Sequence, residues 1–100
     1  MAGIKSDGGS STYYDIPLTQ KILDKILARS MEGNCYIKTE EIIEMLGSDF
    51  DVGNLLKSGV RAAKAMHGEG KEGNDIPYEA RKIMYSGNRL LERFVDEEEE

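Results

Sequence analysis

The chain contains no tryptophan, one cysteine, one histidine and two prolines among its 100 residues. A lone Cys35 excludes an intramolecular disulfide, which is typical of proteins in a reducing cytosol. His67 has no second histidine to complete a metal-ligand set, so we predict no zinc site. No apolar run approaches the roughly 20 residues of a membrane span, and no signal-peptide layout begins the chain. These absences predict a cytoplasmic protein without a membrane partner.

The net charge of −6 is distributed unevenly. Residues 1–52 contain five basic and nine acidic residues, whereas residues 53–95 contain eight basic and five acidic ones. Residues 96–100 are all acidic. Such a terminal block is typically solvated and disordered, although it can also shield a basic face or imitate nucleic-acid phosphates. The sequence pI near 4.8 argues against a nucleic-acid partner, because nucleic-acid-binding domains carry a strong basic footprint.

Apolar periodicity and capping residues predict four helices. They are expected after the caps Thr19 and Thr39, from near Asp51 to His67, and after the cap Asp75, with Gly47 as the stop signal of the second helix. We therefore predict an all-α fold, a small antiparallel assembly of about four helices with a carboxyl-terminal helical hairpin. The helical domain is assigned to residues 13–95, between a disordered segment over residues 1–12 and the acidic tail over residues 96–100.

Each helix of the hairpin has an apolar stripe that we expect to form the core. In the third helix the stripe is Val52, Leu55, Leu56, Ala62, Ala63 and Met66. In the fourth helix it is Ile76, Ala80, Ile83, Met84, Leu90, Leu91, Phe94 and Val95. Gly59 is expected to allow the close approach of a neighbouring helix.

A second face of each hairpin helix carries basic residues at helical spacing. If the two faces converge they can hold an anion, because arginine binds phosphate through two hydrogen bonds and lysine neutralises its charge. The alternative is that both faces are simply solvated. The candidate ligand-binding residues are Asn54, Lys57, Arg61, Lys64, Lys82, Tyr85 and Arg89, with Tyr78 as a further residue that could stack on a base.

Three runs of the sequence form a recognisable pattern: GNLLK followed by RAAK, ARKIMYSGNRLLER after the turn, and YYDIP near the amino terminus. With these motifs the residues from Asp51 to Phe94, and the YYDIP run, resemble a small helical domain of bacteriophage proteins, of unknown function and sometimes labelled nucleotide-kinase-like. The matching positions are Gly53, Asn54, Lys57, Arg61, Lys64, Asp75, Lys82, Tyr85 and Arg89. This resemblance implies a phage protein in the host cytoplasm. A P-loop kinase is not expected, because the run at 68–72 lacks the leading glycine and the hydroxyl residue of that motif.

Two other functions stay open. Glu40, Glu41 and Glu44 match the first acidic motif of all-α nucleoside triphosphate pyrophosphohydrolases, whose carboxylates hold magnesium. The second motif would fall on residues 72–75, which glycine makes a loop, so a solvated helix start is the favoured interpretation. The segment from Thr39 also imitates a helix-turn-helix whose groove readers would be Asn54, Lys57 and Arg61.

The favoured hypothesis is binding without turnover, with no catalytic residue, metal or cofactor. We expect a homo-oligomer whose hairpin presents its basic face to a nucleotide-like anionic ligand, such as a cyclic nucleotide signal, or to a host protein. Such a protein would sequester a host-defence signal or inhibit a host enzyme.

Overall fold

The computed structural model describes residues 12–70 and 75–98, with side chains as far as residue 95. Its helices are α1 (Gln20–Met31), α2 (Thr39–Leu46), α3 (Phe50–Met66) and α4 (Ile76–Glu98), preceded by a 3-10 turn over Thr12–Tyr14. Within those two segments there is no strand, and no helix combines the length and apolar character of a membrane span. The all-α prediction is confirmed. Nearly all of the predicted disordered segment, residues 1–12, lies outside the described residues.

Three residues act at helix ends as the sequence predicts: Thr19 and Asp75 cap the starts of α1 and α4, and Gly47 ends α2. The Oγ1 atom of Thr19 accepts a hydrogen bond from the Ile22 amide at 3.3 Å at the start of α1. Asp75 accepts from the Tyr78 amide at 2.8 Å at the start of α4. At the end of α2, Gly47 has φ +62°, a left-handed conformation that glycine adopts without steric strain.

Helices α2 and α3 begin slightly earlier than the sequence pattern predicts. Thr39 is the first helical residue of α2 and not its cap; Lys38 precedes the helix, and its amide donates to Glu41 Oε1 at 2.9 Å. The cap of α3 is Asp49, whose carboxylate accepts from the Val52 amide at 3.0 Å. In both places an acidic side chain accepts a hydrogen bond from a backbone amide at the start of the helix, and this contact fixes where the helix begins.

Helices α3 and α4 form the predicted hairpin, and α2 packs on α3. Two ion pairs define the antiparallel arrangement. Arg61 contacts Glu79 near the turn of the hairpin, and Asp51 contacts Arg89 toward its open end. Helix α1 is joined to α2 by a further pair, Arg29–Glu41. Ion pairs therefore connect these helices, whereas the sequence pattern predicted that apolar contacts would do so.

Several deeply buried side chains of the hairpin are polar. Asp51 and Ser58 of α3, and Glu79 and Ser86 of α4, are almost completely buried. Among the described residues, Ile22 of α1 is the only large apolar side chain that is fully buried. Serine is small and the two carboxylates are paired with arginines, so small residues and ion pairs occupy the most deeply buried positions of the α3/α4 hairpin.

The expected core stripe of α4 is therefore wrong in part. Met84 is 65% exposed, and Leu91 and Phe94 are also more than half exposed, as is Met66 of α3. The physical reason is the rotation of the helix. Because Glu79 and positions one and two turns beyond it face α3, the side of α4 that carries Met84 and Leu91 faces outward.

The close approach expected at Gly59 occurs at a different glycine. A Cβ atom at Gly53 would lie 3.5 Å from Cγ2 of Ile43 in α2, whereas one at Gly59 would meet nothing within 4 Å. Gly53 is therefore the position at which α2 packs on α3.

Candidate ligand-binding groove

A groove of about 560 Å³ runs along one side of the α3/α4 hairpin. It is lined by Phe50, Asn54, Ser58 and Arg61 from α3 and by Tyr78, Arg81, Lys82, Tyr85 and Ser86 from α4. Intervals of three and four residues place each set on one face of its helix. Four of the seven predicted ligand-binding residues, Asn54, Arg61, Lys82 and Tyr85, thus line the same groove.

The groove has small hydroxyl residues at its base and aromatic rings at its edge. Ser58 and Ser86 are buried, whereas Phe50 is 74% exposed and Tyr85 65% exposed. Exposed rings on both helices can cover a planar group, because aromatic side chains stack with offset or edge contacts. The surface is therefore suited to a ligand that has an aromatic part.

Two cations at the groove are available to a ligand. The Nζ atom of Lys82 lies 5.2 Å from the centre of the Tyr78 ring, a cation–π contact that holds the ammonium beside the groove. Arg81, the residue before Lys82 in α4, is also exposed. In the part of the chain that the structure describes, neither residue has an acidic partner.

Arg61 serves the fold as well as the groove. Its Nε atom donates to Glu79 Oε2 at 3.0 Å, and its Nη2 atom donates to Ser58 Oγ at 3.3 Å. The Glu79 side chain is fully buried, and its Oε1 atom has no hydrogen-bond partner among the described residues. The positive charge of Arg61 is therefore balanced inside the hairpin, and the net positive charge of the groove comes from Arg81 and Lys82.

Arg89 is not among the groove-lining residues, although it was predicted to bind the ligand. Its Nε atom donates to Asp51 Oδ1 at 2.7 Å, and Arg93 donates to the other oxygen of Asp51 and to Asp49. The hydrogen bond to Asp51 is the main reason that the pKa of Arg89 is raised. The pKa of Arg93 is raised mainly by its hydrogen bond to Asp49. These two arginines neutralise the acidic start of α3.

The two remaining predicted ligand residues lie in a second cavity. Lys57 and Lys64 line a space of about 500 Å³ beside the start of α2. The other residues around it are Tyr36, Ile37, Lys38, Thr39, Glu40 and Val60. Lys64 is also 3.6 Å from a Glu69 oxygen in an exposed ion pair. The predicted basic face of α3 is thus divided between the groove and this second cavity.

Two of the three acidic residues of α2, Glu41 and Glu44, form ion pairs. Glu41 accepts from both terminal nitrogens of Arg29, and this contact, followed by the Lys38 amide, lowers the pKa of Glu41. Glu44 lies 3.8 Å from Lys21. No set of three or more His, Cys, Asp or Glu residues in the described ranges is placed to hold a metal ion. Glu72, the first residue of the second acidic motif, lies outside those ranges.

Two of the three groove readers of the helix-turn-helix alternative, Asn54 and Arg61, line the groove of the hairpin. Arg61 is also paired with Glu79 of α4.

Four groove residues were missing from the predicted site: Phe50, Ser58, Arg81 and Ser86. The spacing that brings them together is visible in the sequence, because positions 50, 54, 58 and 61 lie on one face of α3 and positions 78, 81, 82, 85 and 86 on one face of α4. Phe50 was overlooked because the third helix was expected to begin near Asp51.

No protein-family model, curated protein or solved structure matches this chain. The resemblance to a phage domain consequently stays a prediction, and the geometry of the groove is the basis for the functional proposal.

Proposed function

We propose that the protein binds a nucleotide-like anionic ligand in the α3/α4 groove and acts as a phage-type accessory protein that sequesters it. The observation that supports this most directly is the convergence of Asn54, Arg61, Lys82 and Tyr85 from two helices.

The groove offers a partner for each part of such a ligand. A planar base stacks on the exposed ring of Tyr85 or Phe50. The Arg81 guanidinium binds a phosphate through paired hydrogen bonds, and the Lys82 ammonium neutralises its remaining charge. The side-chain amide of Asn54 both donates and accepts, as the polar edge of a base requires.

The composition of the groove favours retention over turnover. The side-chain polar groups that line it are cations, hydroxyls and one amide. These groups bind an anion in its ground state, whereas phosphate hydrolysis needs a general base or metal ligands beside the scissile bond. A binding protein of this kind would remove a host-defence signal, such as a cyclic nucleotide, from the host cytoplasm. We further propose that it acts as a homo-oligomer.

Native mass spectrometry of gently purified protein is the first test, since a nucleotide-sized mass on the chain would identify the ligand class. Binding of linear and cyclic nucleotides is then measured by isothermal titration calorimetry for Arg81→Ala combined with Lys82→Ala. We expect affinity to fall by about a hundredfold, because a hydrogen bond to a charged group contributes about 1.5 kcal/mol. The matched control, Lys57→Ala with Lys64→Ala, removes two cations outside the groove and should leave the affinity unchanged. Equal losses in both variants would contradict the proposed site.

A further inference from the structure

The outer face of α4 carries an apolar stripe with the spacing of a coiled-coil seam. Its residues, at alternating intervals of three and four, are Pro77, Ala80, Met84, Gly87, Leu91 and Phe94. We call this set the α4 stripe. It contains no charged residue, and its three large side chains are each more than half exposed. Helices with this pattern bury the seam against another helix.

The described chain leaves much apolar surface uncovered. Its radius of gyration is 16.8 Å, whereas a compact domain of the described length has a value of about 12 Å. The α3/α4 interface buries Glu79 and Ser86, while Met84 and Leu91 lie outside it. A continuous apolar face on a soluble protein marks an interaction surface.

We propose that the α4 stripe pairs with the α4 stripe of a second copy, antiparallel, about a two-fold axis that passes between positions 84 and 87. The sizes of the side chains support this occupant. In that register Met84 lies opposite the partner's Gly87, where a Cβ atom would meet nothing within 4 Å of the free chain. Leu91 lies opposite the partner's Ala80, and Phe94 opposite the partner's Pro77. Each layer therefore combines a large residue with a smaller one.

Parallel pairing fits less well, because every residue would then meet its own copy. Leu91 would pack on Leu91 and Phe94 on Phe94, whereas the layers at Ala80 and Gly87 would leave gaps. Interiors pack closely, and unfilled space is destabilising. With the two-fold axis, each large residue of one copy packs on a small residue of the other. Every such contact occurs twice, because an isologous interface repeats each contact with the two copies exchanged.

The flanking positions are compatible with the same arrangement. Beside the seam, Arg81 comes next to the partner's Asn88, so no like charges face each other. On the other side, Ile83 and Leu90 are only partly buried in the free chain. Their uncovered parts adjoin the seam and extend its apolar area.

The length of the stripe sets the expected strength of the dimer. From 77 to 94 it spans roughly 26 Å at 1.5 Å per residue. Stable interfaces bury about 800 Å² on each partner, and a seam of this length lies at the lower end of that class. We therefore expect a concentration-dependent dimer with a Kd of roughly micromolar order. This inference gives a geometry to the oligomer of the proposed function. The α4 stripe contains none of the groove-lining residues, and Arg81, which lines the groove, flanks the stripe.

Disulfide trapping tests the orientation directly. In a Cys35→Ser background, which removes the exposed native thiol, Ala80→Cys and Leu91→Cys are prepared as separate proteins and oxidised alone or mixed. The antiparallel register places the two 80 positions roughly 16 Å apart along the axis, too far for a disulfide. We expect a cross-linked dimer only in the mixture. Cross-linking of each variant with itself would establish parallel pairing and overturn the proposal, as would the absence of cross-linking in all three samples.

Sedimentation gives an independent measurement. Met84→Lys combined with Leu91→Lys should weaken association at least about a hundredfold, because each lysine would lose most of its hydration in the seam. Met31→Lys on α1 is the control, since that methionine is 89% exposed and lies outside the stripe. A dimer retained by the double variant would contradict the interface. Nucleotide titration of the unchanged protein separates the two proposals: failure to bind refutes the groove ligand, and trapping still decides the dimer.

Discussion

The Nε atom of Arg61 lies 3.0 Å from Oε2 of Glu79, a carboxylate that is completely buried in the α3/α4 hairpin. Arg61 is the ion-pair partner of this carboxylate among the described residues, and the second Glu79 oxygen has no hydrogen-bond partner there. Arg61, which the sequence predicts to bind the ligand, therefore also neutralises the buried charge of Glu79. Loss of ligand binding in an Arg61 variant must be read together with its stability.

We expect Arg61→Ala to lower the free energy of unfolding by about 2–3 kcal/mol. This is less than for a fully enclosed pair, because the Arg61 side chain is 35% exposed and solvent can reach the stranded carboxylate once the arginine is gone. Combining Arg61→Met with Glu79→Leu should restore stability to the wild-type level or above it, since buried pairs are often replaced by apolar residues without loss. Urea unfolding measures both variants. A double variant less stable than Arg61→Ala alone would show that the pair itself stabilises the hairpin.

The helices were predictable from sequence, whereas the identity of the core was not. Thr19, Gly47 and Asp75 act through local backbone chemistry, so their effects are visible in the sequence alone. Whether Glu79 or Met84 faces α3 depends on the rotation of α4 about its axis. A single apolar stripe does not fix that rotation when a buried arginine–carboxylate pair competes with it.

The same reason explains the partial prediction of the groove. Asn54, Arg61, Lys82 and Tyr85 share it because helical spacing placed them on facing sides of two neighbouring helices. Arg89 is not part of the groove and instead pairs with Asp51, which lies 38 positions earlier in the chain. Pairing over such a distance is decided by tertiary packing, which no local pattern records.

The ion pairs of Asp51 provide a second test of whether a buried carboxylate without its arginines destabilises the hairpin. Its side chain is almost fully buried, whereas those of Arg89 and Arg93 are 44% and 41% exposed. Asp51→Ala leaves two arginines that can turn into solvent, so we expect a loss of only about 1–2 kcal/mol. Arg89→Ala with Arg93→Ala strands the buried carboxylate and should destabilise the protein more. Thermal unfolding of the two variants decides the order, and the reverse order would contradict this account.

Two glycines of the described chain should respond in opposite directions to alanine. Gly59 lies inside α3 with open space around it, so Gly59→Ala should raise the free energy of unfolding by about 0.5–1 kcal/mol through helix propensity. Gly47 has φ +62°, so Gly47→Ala should lower it by about 1 kcal/mol through strain in the left-handed region. Chemical denaturation compares both with the wild type. A destabilised Gly59→Ala would reveal a close contact at that position in the assembled protein.

Acid should weaken the contact between α1 and α2, because Glu41 must be ionised to bind Arg29. The hydrogen bonds from Arg29, and then from the Lys38 amide, hold the pKa of Glu41 below its ordinary value, which is about 4.3 in an unfolded chain. A group with a lower pKa in the folded state stabilises the protein above the unfolded value, and this contribution disappears as the pH falls through the folded one. The melting temperature should therefore decline below about pH 4, and Glu41→Gln should reduce that decline while lowering the melting temperature at pH 7. Glu40→Gln, a change at the exposed neighbouring carboxylate, is the matched control; an equal response in both variants would show that the Arg29–Glu41 pair does not set the acid sensitivity.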